Sequence, residues 1–207
     1  MAVFLNSFNP LVRFPSGRRA IAEHQLPPFV DYSCRREPDF ESNYPSISAL
    51  CRIDKLVSRV HPGDIVVYLT NKDRCLGVEP GHRRLVAILA VLERFESHTQ
   101  AAVWYQARGE RLPVNCMVAG NPPLVIDRTA PITEFKSDLR RWDLEYHRRA
   151  RRCGIFLACT ARYLELHNPP IVIDDMLRTA FGRVPGTQNP PEVSVEALAA
   201  LRQLCRV

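Results

Sequence analysis

Two short stretches of the chain are apolar at almost every position, Ile65-Val66-Val67-Tyr68-Leu69-Thr70 and Arg84-Leu85-Val86-Ala87-Ile88-Leu89-Ala90-Val91-Leu92. The first is too short for a helix and rich in β-branched residues. Both predict buried strands, although the Ala and Leu content of the second leaves a helix open, and the loop of about a dozen residues between them predicts a hairpin in a closed or strongly curled sheet. Ile155 to Thr160 predicts a further buried strand. Phe29 to Arg35 alternates instead, with Val30, Tyr32 and Cys34 on one side and Asp31, Ser33 and Arg35 on the other. That pattern predicts a strand whose second face is more polar than a plain core strand would carry.

Helical spacing appears elsewhere. Ser46 is placed to cap a helix in which Ile47, Leu50, Cys51 and Ile53 recur, running to about Val57. Residues 98–108 predict a short helix, and Asp174 to Phe181 and Val195 to Leu204 two more. The strongest amphipathic pattern runs from Phe135 to Cys153, where Phe135, Leu139, Trp142, Tyr146, Ala150 and Cys153 make one apolar stripe. Packing on that stripe accounts for Trp142. The remaining surface holds the densest basic stretch of the chain. Within it Arg141, Arg148 and Arg152, at offsets of seven and eleven residues, return to nearly one face. Prolines and asparagines from 112 to 132 predict a long loop, and residues 1–28 read as an irregular N-terminal arm. The expected fold class is α+β, with residues 29–207 as one domain that ends in a helical elaboration.

Charge and cysteine usage narrow the function. A net charge of +6 suits a protein that meets phosphates. Seven cysteines, odd in number and far apart, make a poor disulfide framework, which predicts a reducing, cytoplasmic setting with Cys34, Cys51 and Cys159 buried. No run of eighteen apolar residues occurs, so no membrane partner is expected. Cys-x-x-Cys, HExxH, Gly-x-Ser-x-Gly and phosphate-binding glycine loops are all missing. Cys153, Cys159, His147 and His167 form only a loose cluster. These absences leave no metal, no cofactor and no catalytic residue to assign.

Aromatic and amide side chains supply the remaining candidate chemistry. Tyr32, Phe40, Tyr44, Tyr68, Trp104 and Tyr105 fall on or beside strand ends, with Asn43, Asn71, Asn115 and Asn121 among them. A base is held by stacking on a ring while an amide reads its edge. The stretches Tyr32 to Glu37, Pro45 to Arg52, Pro62-Gly63-Asp64-Ile65-Val66-Val67-Tyr68 and Arg84 to Val91 resemble, in order, those of the PUA-like superfamily. The resemblance extends most to its nucleotide-modification-associated, EVE, YTH and ASCH-like members, and Asn115 to Pro123 resembles a loop of the same group. It covers about residues 29–160 and implies a small curled PUA-like β-barrel flanked by helices within the domain 29–207. It also implies a nucleic-acid-binding module, for DNA or RNA, that recognises a modified or flipped base. The Gly-x-Lys-x-x-Glu-x-Arg pattern of ASCH domains is missing, and so is a YTH tryptophan cage.

The resulting expectation places Tyr32, Ser33, Tyr68, Asn71 and Trp104 in a base pocket, and Arg35, Arg36, Lys72, Arg141, Arg148 and Arg152 on phosphates. The alternative is a nuclease or base-processing enzyme using Lys72, His82 or His98 with Asp64 or Glu93. A third reading has the basic helix dock an acidic protein.

Overall fold

The computed structural model describes residues 1–50, 55–124, 132–186 and 189–207, without the side chains of Cys75 and of residues 132–140. Its centre is a mixed sheet. Strand β3 (Ile65–Thr70) pairs antiparallel with the long β4 (Arg83–Phe95), and β4 with β5 (Phe156–Leu164). These are the three apolar stretches of the sequence; the first two pair as the expected hairpin, and β5 adds to the other side of β4. With β1 (Val3–Phe8), β2 (Ser46–Ser48) and β7 (Glu192–Val193), the strand order across the described residues is β2-β5-β4-β3-β1-β7, with β6 (Ile171–Val172) added to the start of β4. β2 and β7 end this path at opposite sides. The α+β class therefore stands, whereas the sheet is not closed into a barrel and the curled PUA-like barrel is not formed.

Three local expectations give way to longer-range partners. Residues 1–28 are not an irregular arm: Val3–Phe8 is strand β1, parallel to β3 in the register Val3 to Ile65 through Phe8 to Thr70. Its alternation serves two apolar layers, Phe4 and Phe8 facing one core and Val3 and Leu5 the other. Pro15–His24 follows as helix α1, in which a Cβ at Gly17 would sit 1.9 Å from the carbonyl oxygen of Leu11. Phe29 to Arg35 is no strand, because the Asp31 carboxylate accepts the amides of Ser33 (2.8 Å) and Glu37 (3.0 Å) and folds the chain around itself. The helix expected from Ser46 is strand β2, paired with Ala158 to Phe156, while Cys51 lies outside the described residues. Ile47 enters the core and the two serines flanking it turn to buried polar partners, so a period of two wins over one of 3.6.

The four later helices fall where the sequence puts them. Helix α2 (His98–Ala107) is capped by Ser97 and packs Ala101, Ala102 and Tyr105 against β5. Helix α3 (Ile132–Arg152) precedes β5, and α4 (Asp174–Phe181) and α5 (Val195–Cys205) cover the β1/β3/β4 surface through Leu177, Leu198, Leu201 and Cys205. Cys34 and Cys159 are buried and free, and burial pushes the Cys34 thiol up to about 12. No described helix is long and apolar enough to cross a membrane.

Candidate functional site

A buried polar network, rather than an open pocket, is the main feature of the segment from Asp31 to Ser48. Glu37 is enclosed, 3% exposed. One of its oxygens accepts the amide of Ser48 at 2.9 Å, and the other is bonded to the Ser48 hydroxyl and accepts the side-chain amide of Asn115 at 3.0 Å. Asn115 in turn accepts the hydroxyl of Ser46 at 2.7 Å. Asp39 takes the amides of Glu41 and Val114 and the guanidinium of Arg111. Desolvation by burial pushes the Glu37 carboxyl up to about 8 and that of Asp31 up to about 6. These groups join the segment to the loop at 113–121. The polar face read in the alternation of residues 29–35 was the sequence signal for this network.

The network reaches α3 through Arg35. Its Nε donates to the carboxylate of Asp143 at 2.6 Å, and its Nη1 donates to the carbonyls of Asn121 (2.8 Å) and Val114 (3.2 Å). With only 2% of the residue exposed, Arg35 is an anchor inside the protein and no phosphate ligand. Arg36 is buried likewise, bonded to the Asp31 carbonyl and paired with Glu41. Arg149 adds a bond of 2.6 Å to the Leu50 carbonyl, and Tyr146 packs with Leu11, Val30, Cys34 and Leu50. These contacts seat one face of the C-terminal half of α3, and the opposite side of the helix is turned to solvent.

The expected base pocket does not assemble from its five residues. Tyr68 is 1% exposed, its ring set edge-on to Phe8 and Phe40 in the core. Asn71 and Tyr32 do come near one another around Asn9, which accepts the Asn71 side-chain amide at 2.7 Å and the backbone amide of Tyr32 at 2.9 Å. The Tyr32 ring lies against Phe14 and its hydroxyl bonds Ser16, while the Ser33 hydroxyl accepts the amide of Glu37. Trp104 sits apart from them in an aromatic cluster with Tyr44, Phe95 and Tyr105, and the guanidinium of Arg108 covers its ring at 3.7 Å. Trp104→Phe, which keeps a ring in that cluster, should cost about 1 kcal/mol of stability. Affinity per folded molecule for any nucleic acid should be unaltered; a tenfold loss in a direct titration would return Trp104 to a binding role.

Four of the five candidates for acid, base and carboxylate chemistry are engaged by neighbouring groups. Lys72 donates to Asp174 at 2.6 Å, beside Arg83 on the other oxygen of that carboxylate. His82 lies between the Pro80 carbonyl and the Arg84 guanidinium, and Asp64 closes a turn by accepting the amides of Ala2 and His61. Glu93 stands on β4 opposite Ala158. His98 takes the Met117 amide on Nδ1, and desolvation lowers its pKa to about 4, which leaves the ring neutral with the proton on Nε2. Among the described residues no group of three His, Cys, Asp or Glu side chains could hold a metal.

Among the described residues, the outer surface of α3 is a basic stretch left open to solvent. Arg141, Arg148, Arg151 and Arg152 are all exposed there, as is Leu144 (61%), and Trp142, which lies on the bearing of Tyr146 and Arg149 at the edge of that surface, is 55% exposed as well. Arg141, Arg148 and Arg152 share one bearing, as their spacing predicted. Trp142, in contrast, is not covered by packing: it stands one turn before Tyr146, the first residue of its stripe among the described side chains to be buried. Of the two described carboxylates on this stretch, Asp143 is turned to Arg35 and His147, and Glu145 lies 3.6 Å from Arg148 and 3.3 Å from Arg149. The Arg148 side chain stays largely exposed, so this pairing holds it weakly. Comparison of the chain with protein-family models, with curated proteins and with solved structures gave no match.

Proposed function

We propose that this protein is a nucleic-acid-binding module whose contact surface is the outer face of α3. The observation that carries the reading is the co-facial, exposed set Arg141, Arg148 and Arg152 on a helix whose inner face is fixed by Arg35, Tyr146 and Arg149. Guanidinium groups pair with phosphate oxygens in a fork and are weakly hydrated, so three of them along one helix suit a phosphate backbone. The overall charge of +6 acts in the same direction. Such contacts give affinity and salt dependence without choice of sequence.

Changing Arg141, Arg148 and Arg152 together to Gln should weaken binding to every sequence alike. It should also reduce the slope of log K against log salt by about 2 for a single strand, or closer to 3 for a duplex. Because all three side chains are exposed, the melting temperature should hardly move. Titrations of labelled oligonucleotides across a salt series check this. An unchanged slope, with affinity retained, would move the interface off α3.

A further inference from the structure

The chain has two tryptophans, and only one of them is packed. Trp104 is inside an aromatic cluster, whereas more than half of Trp142 is open to solvent on a helix held firmly by the turns that follow it. At 100° per residue, Trp142 lies about a quarter turn from the bearing shared by Arg141, Arg148 and Arg152. An indole and a row of guanidinium groups are thus displayed side by side.

A ring so placed suits one kind of occupant. The arginines around it favour a polyanion over an apolar protein surface, because an apolar partner would strip water from Arg141 and Arg148 without replacing it. Among polyanions, a duplex offers a helix phosphates and the edges of its bases but hides the faces of the bases within the stack. A single strand offers phosphates and free base faces together, and stacking on an aromatic plane is how such strands are held without sequence choice.

We infer that Trp142 is a stacking plane for an unpaired base, so that the nucleic acid taken by α3 is single-stranded where it crosses this residue. The inference rests on the reading of α3 as the nucleic-acid interface and names the substrate class of that surface.

The test uses the full chain carrying Trp104→Phe, which leaves Trp142 as the only tryptophan fluorophore. Mixed-sequence single strands of roughly 15 nucleotides, as DNA and as RNA, are titrated beside a DNA duplex of the same length. Binding of a single strand should quench Trp142. In the otherwise native chain, Trp142→Ala should reduce single-strand affinity by about ten- to a hundredfold, change duplex affinity less than twofold, and leave the melting temperature in place. Trp142→Phe should recover much of the loss. Single strands that bind with no quenching, and with Trp142→Ala neutral, would overturn the stacking role while the arginine interface stands. Binding of the duplex alone would do the same. Failure of both nucleic acids to bind would remove the interface and the inference together. Self-association that Trp142→Ala abolishes would overturn the inference by assigning the ring to a second copy of the chain.

Discussion

Arg35→Met should destabilise the protein by about 3 to 5 kcal/mol, the range found when one partner of a buried ion pair is removed. The methionine fills much of the space and supplies no donor. The Asp143 carboxylate, whose side chain is 19% exposed, would then lose its closest cation, and the carbonyls of Val114 and Asn121 would lose theirs. Asp143→Asn should cost less, since an amide oxygen still accepts from the Arg35 Nε. Urea denaturation of the two variants and their combination gives the coupling directly. A cost below about 1 kcal/mol for Arg35→Met, with the fold intact, would show that the pair does not hold α3 in place. The same variant separates anchoring from binding, because an arginine used on its inner side should alter nucleic-acid affinity only through the amount of folded protein.

Arg35 also shows where sequence reading succeeds and where it stops. The runs at 65–70, 84–92 and 155–160 are apolar on both faces, and each proved to be a buried strand; shortness favoured a strand in the first and third, whereas for 84–92, rich in Ala and Leu, the pairing with β3 and β5 decided between strand and helix. The helices at 98–107, 132–152, 174–181 and 195–205 carry their own caps or periodicity and were legible for the same local reason. What failed was decided at long range. Val3–Phe8 becomes a strand through a parallel partner more than sixty residues away. Ser46 and Ser48 are drawn into a strand by β5 and by Asn115 and Glu37. An arginine followed by a second arginine, three residues after a tyrosine, looks in sequence like a surface contact; only the fold brings Asp143, 108 residues on, to within 2.6 Å of Arg35. The two tryptophans exchanged their expected places for a related reason. The apolar stripe of α3 is continuous in sequence, but its cover at Tyr146 comes from Leu11, Val30, Cys34 and Leu50 and does not enclose Trp142. The arginine stripe was legible because helical geometry alone sets it.

The stability of the protein should fall as pH rises from 6.5 to 8, and Glu37→Gln should abolish most of that fall. Desolvation raises the Glu37 carboxyl from 4.5 to about 8, so between those values the folded chain holds a proton that the unfolded chain has released. Stability attributable to this group is complete while both states are protonated and is lost progressively as pH climbs through that window. Asp31, raised from 3.8 to about 6, acts in the same sense but only at lower pH. His98, lowered from 6.5 to about 4, acts oppositely, since its neutral folded form gains stability as pH rises to 6.5 and adds nothing further beyond it. Above 6.5, Glu37 is therefore the dominant contributor of the three. A single proton limits the slope to about 1.4 kcal/mol per pH unit, so the expected decline from 6.5 to 8 is at most about 2 kcal/mol, within a larger loss over the whole window from 4.5. Glutamine preserves the size of the side chain and cannot titrate, although its single amide oxygen cannot replace both carboxyl oxygens, which accept the Ser48 amide and the Asn115 donor separately. That mismatch lowers the stability of the variant at every pH alike and leaves the slope as the readout. Urea midpoints for both proteins at pH 6.5, 7.2 and 8 measure it. A native chain whose midpoint is flat across this range would mean that the donors from Ser48 and Asn115 keep Glu37 ionised throughout, with hydrogen bonding outweighing burial.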